Sequence, residues 1–223
     1  MEPHIPTGRP EKKMKSKFAA LILLLLLICQ CAWAEKPNLL YLFLGNCSFM
    51  RGGWNNWLGV SSHQPLVVSP GDKIKTNDRS YAELRLSDGG SINIKPESSI
   101  TFAGNSVQIK YGEIWVHAVK QKEAFQILTP KAICTILGTL VNVSVDAFGR
   151  TKIRTVEGIV SVRANEDPRK RQLILQRGMM TTITDSKKTE EIPQKFNPEV
   201  AEKDLGATKM DLPKKLRPSS IPN

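Results

Sequence analysis

Hydrophobic and polar positions alternate with a period of two through most of the chain, most sharply from Phe125 to Val162. Apolar residues fall at Phe125 and Ile127, at Val141, Val143 and Val145, and at Ile159, Val160 and Val162. A Thr-Pro at Thr129-Pro130, a Gly-Thr at Gly138-Thr139 and a Glu-Gly at Glu157-Gly158 punctuate them. A period of two sends successive side chains to opposite faces of a strand, so the pattern predicts short, half-buried strands joined by tight turns. The same grammar recurs on both sides. Ala82–Leu86 passes through Asp88-Gly89-Gly90 to Ile92–Ile94, and Val107–Ile109 passes through Gly112 to Ile114–Val116. Lys152–Arg154 passes through Gly158 to Ile159–Val162, and Leu173–Leu175 through Gly178 to Thr181–Ile183.

Glycines 90, 112, 138, 158 and 178 thus recur every 20 to 26 residues, a spacing that suggests stacked units. A lone hairpin is marginal in water, so each unit must bury its apolar face on the next. The predicted fold is all-β: short antiparallel strands and glycine turns stacked as a twisted sandwich or an irregular β-solenoid. Local chemistry agrees. Asp88-Gly89 suits a turn that needs positive φ, Pro130 holds Thr129 extended and ends its strand, and Gly138 permits a bulge or a close backbone approach. A helix is expected only near Pro198–Leu205.

The ends of the chain differ from this centre. Lys12, Lys13, Lys15 and Lys17 precede an apolar run from Phe18 to Ile28, and Ala32-Trp33-Ala34 offers a small-residue cleavage site. Residues 1–34 read as a signal peptide or, uncleaved, a membrane anchor, the run being shorter than the roughly 20 residues that usually span a bilayer. The expected location is periplasmic or secreted, with inner-membrane anchoring facing the periplasm as the alternative. Residues 35–69 read as an entry strand and a tryptophan-rich loop, 70–184 as the β domain, and 185–223 as a disordered Lys/Pro-rich tail.

Charge and cysteines refine this picture modestly. Without residues 1–34 the chain keeps 27 Lys/Arg against 19 Asp/Glu, a net charge of +8. An exported chain rarely meets nucleic acid, so the excess favours a solvated surface or contact with anionic glycan or lipid. Cys47 and Cys134 remain, and both a disulfide and buried free thiols fit an oxidising compartment. His63 and His117 stand apart and the carboxylates sit mostly at turns, so no metal site, cofactor or catalytic residue is indicated and no enzyme is expected. Trp54 and Trp57, in a Gly/Asn loop, are the candidate binding residues, with packing onto the first sheet as the competing role.

The punctuation resembles one family. Gly71-Asp72-x-Ile74-x-Thr76, Ser80-x-Ala82-x-Leu84-x-Leu86-x-Asp88-Gly89, Gly112-Glu113, Thr129-Pro130, Gly138-Thr139-x-Val141-x-Val143 and Val156-Glu157-Gly158-x-Val160-x-Val162 resemble, in order and spacing, the FecR domain. That family is named for the iron-dicitrate sensor regulator. The resemblance implies an extracytoplasmic all-β domain of bacteria that, in the full regulators, receives a signal from an outer-membrane receptor. Those regulators also carry a cytoplasmic helical segment that handles a sigma factor. Only 17 residues precede the apolar run, so that segment is expected to be missing. The leading expectation is therefore a non-catalytic binding or signal-receiving module of the envelope, whose partner is a receptor or a separate membrane regulator. The alternative is a structural envelope protein that holds anionic glycan or a membrane surface with its Trp54/Trp57 loop and its Lys-rich tail; membrane contact through the N-terminal segment is a separate expectation.

Overall fold

The structure, a computed structural model, describes residues 36–60, 64–120, 123–189 and 192–210, with side chains described to Asp204 in the last stretch. The expected signal peptide, His63 and residues 211–223 lie outside the described residues. The first half of the β domain comprises β1 (Asn38–Leu44), β2 (Cys47–Met50), β3 (Leu58–Val60), β4 (Leu66–Val68), β5 (Lys73–Thr76), β6 (Tyr81–Arg85), β7 (Ser91–Ile94), β8 (Ser99–Phe102) and β9 (Ser106–His117). The second comprises β10 (Phe125–Leu128), β11 (Ala132–Ile136), β12 (Leu140–Val145), β13 (Thr151–Glu157), β14 (Ile159–Ala164), β15 (Leu173–Gln176), β16 (Met179–Ile183) and β17 (Gln194–Lys195). One helix, α1 (Pro198–Met210), follows.

The strands form two layers with one strand in common. The first layer runs β4-β1-β6-β7-β9-β12-β13-β16-β17. The second runs β3-β2-β5-β8-β9-β10-β11-β14-β15, in which only the β9–β10 pair is parallel. Of the two stacking schemes the sequence allowed, the sandwich is the one formed. Strand β9 pairs through Val107–Tyr111 with β8 and through Ile114–His117 with β7. It changes layer at Gly112, just past the register shift at Lys110 in the ladder to β8, and inward residues pass from Val107 and Ile109 to Ile114 and Val116.

Gly90 lies in the β6–β7 hairpin turn as expected, but the later recurring glycines do something other than make hairpin turns. The hairpins β10–β11 and β14–β15 lie in the second layer, and β12–β13 and β16–β17 in the first. Gly138, Gly158 and Gly178 lie between successive hairpins, where the chain passes from one layer to the other. Such a crossing brings backbones together. A Cβ on Gly158, whose φ is +77°, would sit 2.9 Å from the Gly138 carbonyl oxygen, and Thr139 Oγ1 donates to the Ile159 carbonyl at 3.1 Å.

Alternate residues of both layers enter one core, including Leu40, Leu84, Ile92 and Ile153 from the first and Ile74, Ile100, Ile127 and Val162 from the second. Full burial of an aliphatic side chain of this size stabilises by roughly 1.5–3 kcal/mol. Cys47 and Cys134 belong to this core as free thiols, and burial pushes each up to about 12. They lie on β2 and β11, five strand steps apart in the second layer, or about 24 Å along it. A disulfide needs Cα atoms within about 7 Å, so the sequence pairing is not made.

The stretch expected as a disordered tail is partly folded. Gln194 and Lys195 pair with β16, Phe196 N donates to the Gly178 carbonyl at 2.9 Å, and α1 follows at once. Asn197 Oδ1 accepts from Glu199 N at 3.0 Å as the helix cap, with Pro198 in the first helical position. Ala201 is buried against Trp115 and Val156 on the outer face of the first layer. Composition read as solvated because its few apolar anchors, Phe196 and Ala201, are too sparse to form a periodic pattern.

Candidate functional site

The family-motif residues are dispersed and mostly serve the fold. Asp72, 1 % exposed, accepts from Arg51 Nη1 at 2.7 Å, Gly52 N at 2.8 Å and Ser69 N at 2.8 Å, tying the tryptophan loop to the turn at Gly71. Thr76 Oγ1 donates to the Lys95 carbonyl at 2.6 Å and accepts from Ser98 N at 3.0 Å. Ala82 faces the core, and Asp88 Oδ1 accepts from Gly90 N at 2.7 Å beside Gly89 at φ +93°. Thr129 Oγ1 accepts from Ala132 N at 2.8 Å in the turn that Pro130 rigidifies, and Glu157 is exposed at the end of β13. Trp54 and Trp57 do not pack beneath the sheet: they are 56 % and 37 % exposed.

A concavity lies at the bend of β9. Gly112 makes the bend possible, because a Cβ at its φ of +96° would stand 2.3 Å from Ser98 Oγ and 2.4 Å from Ser98 Cα. The close approach lets Ser98 Oγ donate to the Glu113 carbonyl at 3.2 Å and accept from Glu113 N at 2.9 Å. Beyond the bend, the period of two turns Glu113 and Trp115 outward while Ile114 and Val116 enter the core. In register beside Trp115 is Asn142, and beside Asn142 is Arg154, so three strands place a polar row on one surface.

That row is closely bonded. Glu113 Oε1 accepts from Trp115 Nε1 at 3.0 Å and from Asn142 Nδ2 at 2.8 Å, and Arg154 Nε donates to Asn142 Oδ1 at 2.9 Å. The Arg154 guanidinium also lies 5.8 Å from the Trp115 ring centre and 3.8 Å from Glu113 Oε1. Asn142 is fully buried with its amide in hydrogen bonds, so the row is rigid rather than frustrated. Lys95 stands beside it. Burial pulls the Lys95 ammonium below its usual range, Arg154 adds to that pull, and Glu113 and Asp204 oppose it.

Glu113 and Arg154, held by the buried Trp115 and Asn142, form part of one wall of a groove of about 1430 Å³. Its other wall is the β12–β13 turn. There Asp146 Oδ1 accepts from Phe148 N and Arg150 N, both at 2.9 Å, and Arg150 Nε pairs with Asp146 Oδ2. Burial pushes the Asp146 carboxyl up, but these bonds outweigh it and hold the carboxyl below the ordinary range. Phe148 projects from this turn, 77 % exposed, with the Arg150 guanidinium 5.6 Å from its ring centre. Lys110, Tyr111, Lys152 and Asp204 complete the lining. The groove thus offers cations, carboxylates and two aromatic rings on rigid supports, an arrangement suited to holding a chain segment. Among the described residues no three His, Cys, Asp or Glu side chains gather as a metal site.

Of the motif residues, Gly112, Glu113 and Pro130 border the groove; Trp54 and Trp57 lie elsewhere. Sequence reading missed Lys95, Asn142, Phe148 and Arg154. A signal was available: in Thr151–Glu157 the polar members of the alternation, Lys152 and Arg154, are both cations on one outward face.

Residues 72–161 match the family model described as FecR protein. No curated protein matches the chain. Two crystal structures of a "putative anti-sigma factor" from Parabacteroides distasonis, at 1.65 Å and 2.50 Å resolution, are similar to it, each with a TM-score of 0.49 and 16% identity. Each likeness covers 60% of this chain, and 64% and 63% of the respective structures, so the chain spans less than two thirds of their length.

Proposed function

Residues 72–161 belong to the FecR family, and from that premise we propose that the chain is an exported, non-catalytic module that receives a signal by holding a segment of another envelope protein. The family match supports a signal-sensing regulatory role. The observation that carries the finer reading is the groove at the β9 bend. Its volume of about 1430 Å³ exceeds the roughly 300–1,000 Å³ of small-molecule sites. Both signs of charge line it, which favours a polypeptide carrying its own charges in a fixed register over a simple polyanion. Phe148 and Tyr111 supply apolar anchorage at the rim.

A photo-crosslinking residue at Phe148 tests this in envelope extracts. The expected result is one crosslinked protein, lost with Arg150→Glu/Lys152→Glu and retained when residues 211–223 are removed. Equal crosslinking by the charge-reversed variant would refute the groove as the binding site. The alternative, a structural protein gripping glycan or membrane with its tryptophan loop and a free lysine-rich tail, is supported by the exposed tryptophans. It loses support from the tail, whose residues Gln194–Met210 are folded back on the first layer.

A further inference from the structure

We propose that the Trp54–Trp57 loop and the sheet edges beside it are a seat for an anionic lipid surface. The tryptophans stay exposed although the loop is well anchored. Asp72 fixes the loop at Gly52 and Arg51, and Trp54 N donates to the Arg51 carbonyl at 3.0 Å. Strands β3 and β4 end the two layers here, and they carry Leu58 and Val67, 48 % and 47 % exposed. An indole pair with two aliphatic side chains is the composition found at a bilayer interface, where a ring can sit among headgroups and an alkyl group below them.

The charged groups stacked on aromatic rings here are cations. Lys75 Nζ lies 4.1 Å from the Trp57 ring centre and the Arg51 guanidinium 4.9 Å from that of Phe49. Lys73, opposite Met50 in the β2–β5 ladder, is exposed. Asp72 faces inward and is matched by Arg51, while Asp88, in the turn that Asn38 holds through Ser87, gives its Oδ1 to Gly90 N. Lys75, stacked on Trp57, can meet a lipid phosphate while that ring enters the interface; Phe49 itself stays in the core.

Chain connectivity points to the same occupant. Arg51 Nη1 donates to the Val67 carbonyl at 3.2 Å, and Val67 lies opposite Leu39 in the β1–β4 ladder. Leu39 is 11 residues after Ile28, the end of the apolar run, a span of at most about 40 Å even fully extended. A chain held at a membrane by that run brings this edge to the surface first. A glycan would explain the indoles; it would not explain exposed Leu58 and Val67, which offer a sugar ring no stacking surface.

The test uses the full chain in phosphatidylcholine vesicles with and without phosphatidylglycerol, with lipids brominated on the acyl chains as fluorescence quenchers. In anionic vesicles, bromolipid should quench the wild type well beyond Trp54→Phe/Trp57→Phe, the difference isolating these two rings from Trp33 and Trp115. Lys73→Gln/Lys75→Gln should weaken the loop's engagement about 25-fold at low salt, and high salt should weaken it in the wild type. Identical quenching of the wild type and the tryptophan variant overturns the proposal. So does equal quenching without phosphatidylglycerol, or shielding of the tryptophans by a soluble acidic glycan and not by vesicles. An unchanged thermal melt of each variant shows that the exposed substitutions leave the fold intact.

Discussion

The two ends of β5 support two different surfaces. At its N-terminal end Asp72 holds the tryptophan loop, where a lysine is stacked on an exposed indole and the one carboxylate faces inward. At its C-terminal end Thr76 holds Ser98 and through it the Gly112 bend, where rings stand among charges of both signs. Strand β5 is four residues long, so about 13 Å separates the two anchors. The difference teaches that the motif residues are supports: Asp72 and Thr76 each fix a backbone, and the side chains that meet a partner are carried by the loops they fix.

Four outcomes would break or sharpen this contrast. The largest effect is expected at the groove end. Gly112→Val should cost more than about 3 kcal/mol in urea unfolding, because it combines a positive φ with a collision on the Ser98 backbone. A cost below about 1 kcal/mol would show that the bend is adjustable. Next, Asp72→Ala should cost about 2–3 kcal/mol by leaving Arg51 and two backbone N–H groups without their acceptor. It should also loosen the tryptophan loop, seen in indole anisotropy, and leave crosslinking at Phe148 intact. Loss of both together would mean that the two surfaces are one unit.

A smaller effect is expected from the thiols, of which Cys47 lies in register with Thr76. Each folded thiol is held up to about 12 from an ordinary value of 9.0, so the unfolded chain releases its protons first as pH rises. Their contribution to stability is complete below pH 9 and declines from there towards about pH 12. Replacing both by alanine should flatten that part of the alkaline melting profile. Ellman's reagent at neutral pH should leave both thiols unmodified until denaturant is added; rapid labelling of Cys47 alone would reveal local opening at the Thr76 end. The smallest effect is expected at Asp146. Its carboxyl is held low, so its support for the β12–β13 turn is present above the ordinary carboxylate range and fades as pH falls through the lowered value. Asp146→Asn should reduce the acid-side fall in melting temperature slightly and weaken partner crosslinking at Phe148.

Strand identity was legible in the sequence because a period of two is a local property, and nearly every apolar position named from it, Ile127, Val141 and Val162 among them, enters the core. Layer assignment was not. Gly112 reads as a hairpin turn from its neighbours, yet Val107–Ile109 and Ile114–Val116 are one strand, since what determines the bend is Ser98, fourteen residues away. The groove was invisible for the same reason. Asn142, Arg154 and Glu113 are brought together by inter-strand register, and register is set by long-range packing. Helix α1 was expected near Pro198–Leu205, where it forms, but its docking on the first layer was not legible, because its hold rests on two contacts, at Ala201 and Phe196, while the surrounding composition resembles a solvated tail.

Strand β9 also has a mechanical meaning. Because one continuous backbone is laced into both layers, sliding one layer against the other would have to pull apart the ladders to β7 and β12 or those to β8 and β10. Hydrogen bonds loaded in shear along a strand must yield together, so a load along β9 is shared between the ladders of both layers.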